Sequence, residues 1–115
     1  MVQMGTTQIF DALSIAKSAT VTSAAIDIGK ASAVALRVVA LTGANPDFTF
    51  IYSLSNSREG TYTIPVAPAT IGANIQAVDV LDFAPEAAGF IKIIALNNNA
   101  VNAVTLTAQL AVQEL

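Results

Sequence analysis

Apolar and polar positions alternate most cleanly at residues 48–54, where Phe48, Phe50, Tyr52 and Leu54 interleave with Thr49, Ile51 and Ser53. Successive side chains of a strand point to opposite faces, so this period predicts a strand with its aromatic face in the core. Residues 55–60, SNSREG, then predict a polar hairpin tip, with Gly60 supplying a positive φ at the reversal. Residues 61–64 predict the short returning strand, stopped by Pro65.

The same reading extends along the chain. Residues 1–7 have no clear period and are set apart as an N-terminal arm, leaving 8–115 as one domain. Residues 8–17, QIFDALSIAK, lean to strand over helix because small and β-branched residues surround them. Residues 21–28 predict a strand stopped by Gly29 and Lys30. In AVALRVVAL, residues 33–41, Val34, Leu36, Val38 and Ala40 share one face, yet the opposite face is also largely apolar. That predicts a strand covered on both sides, by a partner sheet and by a neighbour. TGANPD, residues 42–47, is a turn cluster.

With Pro65 just before it and Pro68 within it, the stretch 66–73 predicts an irregular connection or sheet edge. Ile75, Ala77, Val78 and Val80 predict one strand ending near Phe83, and residues 84–88 a loop or single helical turn. FIKIIAL, residues 90–96, is another strand, and NNNAVN, residues 97–102, a turn, since asparagine tolerates left-handed backbone. Val104, Leu106, Ala108, Leu110 and Val112 predict a long final strand with one polar face. About eight short strands at near-regular spacing, with no βαβ pattern, give an all-β fold: a single antiparallel β-sandwich.

Composition narrows the function. The chain has 115 residues, no cysteine and no histidine. Thiolate chemistry, disulfides and Ser–His triads are excluded, and nearly all transition-metal sites with them. The five basic residues are scattered and the net charge is −3, so the electrostatic footprint of a nucleic-acid binder is missing. Only 11% of residues are charged, and mean hydropathy is +0.63. Arg37 and Lys92 interrupt the apolar runs well short of the ~18 residues a membrane-spanning helix needs, so no membrane insertion is expected. The N-terminus lacks a basic region followed by an apolar core, so no signal peptide is expected. A charge-poor surface implies instead that faces are buried against other subunits, making the chain a homo-oligomer.

Three groups of residues could carry chemistry. Asp79, Asp82 and Glu86 could offer oxygens to calcium, but they match no EF-hand pattern and read equally as a solvated acidic rim. Asp47, Glu59, Asp79 and Asp82 could pair for glycoside hydrolysis, but there is no tryptophan and no pairing signal. Ser55, Asn56, Ser57, Arg58 and Glu59 form a polar tip suited to contact a partner, or a solvated turn with an ion pair of little energetic weight. No catalytic residue, cofactor, metal site or small-molecule substrate is expected, and the chain is not read as an enzyme. Arg37 and Lys92 must reach solvent or a carboxylate, because a buried unpaired charge is costly.

From Ser18 onward the layout resembles small β-sandwich proteins of tailed-phage structural modules. ATVTSAAIDIGKA is similar to their opening strand and turn, and TFIYSLSNSREGTY to their strand, tip and aromatic return. AAGFIKIIALNNN resembles their late strand, and VTLTAQLAVQEL the terminal one. Discoidin-like jelly rolls have a related hairpin, usually with Asp-Gly and a tryptophan, where this chain has Glu59, Gly60 and Tyr62. Within the phage modules the composition is most similar to capsid decoration, or cement, proteins. That resemblance implies a jelly-roll-like homotrimer on the virion capsid surface, made in the host cytoplasm, which bridges major capsid proteins. The alternatives are a galactose-binding or discoidin-like module recognising a glycan or cell surface, and a phage tail or baseplate structural protein.

Overall fold

A computed structural model describes residues 3–29, 31–65, 70–85 and 88–114. The described residues are all-β, with no helix among them. The strands are β1 (Gln3–Ile15), β2 (Thr20–Thr22), β3 (Ile26–Asp27), β4 (Ala31–Thr42), β5 (Phe48–Ser55), β6 (Thr70–Ile75), β7 (Asp79–Phe83), β8 (Phe90–Asn97) and β9 (Val104–Glu114). Sheet A has the order β1-β9-β4-β7, and sheet B the order β2-β8-β5-β6, with β3 also on β8. All the pairs are antiparallel. The chain passes between sheets at almost every connection, and this strand order is that of a jelly roll.

Strands β2 and β3 are two halves of one strand on β8. Ser23 interrupts it. Its N–H donates to the Ile93 carbonyl at 2.8 Å, and its hydroxyl accepts the Ile93 N–H at 2.9 Å. The side chain thus stands in for the backbone group that a regular ladder would supply, and the buried Ile93 N–H is satisfied.

The core lies between the sheets. Sheet A contributes Phe10, Ile15, Val34, Leu36, Val38 and alternate residues of β9 from Val104 to Val112. Sheet B contributes Phe48, Phe50, Tyr52, Ile91, Ile93 and Ala95. Phe48 and Phe50 stack with centroids 5.7 Å apart, and Tyr52 leans on Phe83 at 5.3 Å. Both are spacings at which aromatic pairs attract. The period-2 expectations for residues 48–54 and 104–112 hold in this burial pattern, except that Ser53 is buried and Leu54 half-buried, and the strand expected at 90–96 forms.

Several expectations change. Gln3–Thr7, set apart as an arm, pair with β9 from Glu114 to Leu110, while Met1 and Val2 lie outside the described residues. A register shift between Val38 and Ala40 turns β4 over, so that Leu41 packs toward the core and Ala40 opposes Thr107. No returning strand forms at 61–64. Only Thr63 bridges Leu54, by two 2.9 Å backbone bonds, and the neighbour of β5 is β6, beyond the prolines. The single strand expected from Ile75 to Phe83 is two, β6 in sheet B and β7 in sheet A. Residues 66–69 of the expected irregular connection lie outside the described residues.

Candidate functional site

The polar tip begins where β5 ends. Ser53 and Ser55 occupy outward-facing positions of β5, opposite Lys92 and Phe90 of β8, yet both are buried. What covers this end of sheet B is the segment after β5. The Tyr62 ring lies 4.3 Å under the Lys92 ammonium, and its hydroxyl donates to the Arg58 carbonyl at 3.0 Å. The Arg58 guanidinium sits 4.9 Å over the Phe90 ring and donates to the Ala25 carbonyl at 3.2 Å. Two cation–π contacts therefore fasten the tip to the sheet.

The five tip residues divide. Ser55 is turned into the tip: its hydroxyl donates to the Ser57 carbonyl at 2.8 Å and accepts the Ser57 N–H at 3.2 Å. Asn56, Ser57, Arg58 and Glu59 are exposed. Arg58 is held by the Ala25 carbonyl and the Phe90 ring. Gly60 does not use positive φ. Its role is space, since a β carbon there would collide with the Ser57 and Ser55 hydroxyls. Gly89 serves likewise, because a β carbon would stand 3.3 Å from the Asn56 carbonyl oxygen. A cleft of about 270 Å³ opens beside the tip, lined by Leu54, Ser55, Asn56, Thr61, Thr63, Pro65 and Ala88.

The candidate calcium ligands do not converge. Asp79 and Asp82 both lie in β7, and their odd spacing points them to opposite faces. The Asp79 carboxylate accepts the Val80 N–H at 2.8 Å. Glu86 lies outside the described residues. Among the described residues no three metal-ligating side chains gather. Asp47 instead accepts from the Asn98 side-chain amide at 3.1 Å, at the opposite end of the sandwich from the tip.

Two surface features escaped the sequence reading. The outer face of sheet B carries Ile51 opposite Ile94, with Leu96 opposite Thr49 one pair further along. Ile51 and Ile94 are half-buried and Leu96 is 36% exposed. Ile64, just beyond the Thr63 bridge, is 49% exposed. On the far side of the sandwich, Val80 of β7 opposes Arg37 of β4 on the outer face of sheet A. Val78 and Val80 are 63% and 59% exposed. With Val39 and Asp79 they line a shallow cleft of about 430 Å³. For the first the signal was present, since FIKIIAL is apolar on both faces.

No protein-family model and no curated protein sequence matches the chain. Solved structures do. A family two carbohydrate esterase from Cellvibrio japonicus is 13% identical with a TM-score of 0.46; the match covers 100% of this chain and 35% of the esterase. The chain thus spans about a third of that enzyme. A chain of the cyanophage Pam1 capsid asymmetric unit is 18% identical with a TM-score of 0.46, over 97% of this chain and 82% of that one. FLHE is 12% identical with a TM-score of 0.43, over 96% of both chains. Likeness at this level carries nothing about ligand, activity or partner.

Proposed function

We propose that this chain is a non-catalytic structural protein of a virion: a homotrimeric capsid decoration protein that bridges major capsid proteins and stabilises the head. The carrying observation is the surface. A jelly roll bears two apolar surface patches, the partly exposed Ile51–Ile94–Leu96 face and the exposed Val78–Val80 flank, in a chain with 11% charged residues. Surfaces of that kind are stable in water once other subunits cover them, and the cores of such contacts are depleted of charge. The polar tip supports the same reading as a contact point, since Asn56, Ser57 and Glu59 stand exposed on a firmly held loop.

The test is binding of purified protein to isolated heads that lack it. Saturable binding and a higher temperature of head disruption are the expected results. Absence of the protein from purified virions defeats the proposal. Imaging the labelled protein on particles separates a head protein from a tail or baseplate one.

A second reading is favoured by one observation, the cleft of about 270 Å³ beside the tip, with the Ser55, Asn56, Thr61 and Thr63 side chains at its wall. A concave site lined partly by polar residues suits a glycan. A glycan array without hits, with and without calcium, removes it.

A further inference from the structure

The outer face of sheet B is apolar in its middle and charged at both ends. Ile94 and Ile51 make one cross-strand row and Leu96 and Thr49 the next, with Thr22 and Thr20 continuing these rows on β2. Lys92 lies one row beyond Ile94. At the other end Asp47 is tied to Thr49 by the Asn98 side-chain amide, which donates to both, at 3.1 and 2.9 Å. On the β2–β3 side of β8 the signs are reversed. Asp27 pairs with Phe90 at the Lys92 end. Lys17 stands in the turn before β2 at the Asp47 end, where the Ser18 N–H donates to the Asn99 carbonyl at 3.0 Å. Arg58 and Glu59, adjacent on the tip, offset each other. The face also has a step, because the segment after β5 covers Ser53 and Ser55 and raises the Lys92 end above the apolar rows.

Two copies can stack this face on itself about a two-fold axis lying along the strands or across them. Along the strands, like ends meet, so Lys92 stands beside Lys92 and the raised ends collide. Across the strands, the ends are exchanged. Ala95 is midway between Ile94 and Leu96 and also midway between Lys92 and Asn98, which are about 20 Å apart along β8. An axis at that level sets Leu96 of one copy over Ile94 of the other. It brings Lys92 to the Asn98–Asp47 end and Asp27 opposite Lys17, and each raised end falls beyond the other copy's apolar rows. Every contact then occurs twice and no part of the face is left over. Lys92 keeps its place on Tyr62, since an ammonium has three donors, and Asp47 holds Asn98 through one oxygen only.

We propose that two copies of this chain pair through the outer face of sheet B, with strands antiparallel across the contact, Lys92 against Asp47 and Asp27 against Lys17. This does not rest on the homotrimer. The Val78–Val80 flank, on the far side of the sandwich, stays free for a three-fold contact or for the capsid.

The full chain is measured by light scattering and native mass spectrometry. Leu96→Arg, in the middle of the contact, is expected to halve the mass, and Thr49→Arg, at its cross-strand partner, serves if that variant does not fold. Lys92→Glu and Asp47→Lys are each expected to weaken pairing about tenfold or more. An equimolar mixture of those two is expected to restore it, since each junction again joins an acid to a base. Two copies falling to one supports the pair without the trimer, and six falling to three supports both. A wild type of three copies overturns the pair alone, and a monomeric wild type overturns both. A pair that survives both arginine variants, or a mixture that pairs no more tightly than its components, overturns this face as the contact.

Discussion

Asn97 is an amide with only 1% of its surface exposed, and it stitches two connections together. Its side-chain N–H groups donate to the carbonyls of Ile15 at 3.1 Å, Ala16 at 3.2 Å and Asn102 at 3.3 Å, and its oxygen accepts the Asn99 N–H at 2.9 Å. Asn98 reaches Asp47 and Thr49, and Asn99 reaches the carbonyls of Ala44 and Asn45. The β1–β2, β4–β5 and β8–β9 connections thus close on one amide cluster. Removing the Asn97 amide leaves buried backbone groups unpaired, so Asn97→Ala is expected to destabilise by about 2–4 kcal/mol, read from the urea midpoint. Ala12 presents the converse case. It sits at φ 46° in the irregularity of β1 between Phe10 and Leu13, held by an N–H bond to the Thr107 hydroxyl at 3.0 Å. An L side chain is strained there, so Ala12→Gly is expected to stabilise by up to about 1 kcal/mol, and an unchanged or lowered midpoint counts against that strain. Neither role was legible in sequence. The run of asparagines signals a turn, and what the turn ties together depends on residues some eighty positions away.

At the scale of elements, legibility follows burial on one face. Residues 48–54 and 104–112 alternate because one side of each strand is core, and both were readable. The stretch from Ile75 to Phe83 was not, because its apolar residues belong to two strands in different sheets and the crossing leaves no change of period. The returning strand expected at 61–64 failed because Tyr62 turns over the face of the sheet to meet Lys92, which ends strand pairing after a single bridge. Edges are the elements at risk, and β7 is one. Its Val80 N–H, turned away from β4, is capped by its own neighbour Asp79. Asp79→Ala uncovers that donor beside two exposed valines. More scattering during a thermal ramp is expected at unchanged far-UV circular dichroism. Equal scattering by both proteins removes the guarding role.

For the whole molecule, order along the chain and order in space are far apart. β9 can take its place only between β1 and β4, and sheet A is complete only when its first and last strands pair. Loops of that length must close before their contacts stabilise anything. Refolding is therefore expected on the millisecond-to-second scale or slower, and a microsecond phase carrying the full amplitude in stopped-flow and temperature-jump traces would contradict it. The two-sheet architecture was legible from strand number and spacing. The identity of the outward patches was not, because a strand apolar on both faces does not say which face meets the other sheet.

The pairing of β9 also has a mechanical consequence. It is held from Glu114 to Thr105 by β1 on one side and by β4 on the other. A pull along the strand axis loads both ladders at once, so their bonds must yield together. A pull across the sheet peels β1 away pair by pair. The domain is thus stiff along one axis and comparatively soft across it, and the load it resists depends on how it is mounted.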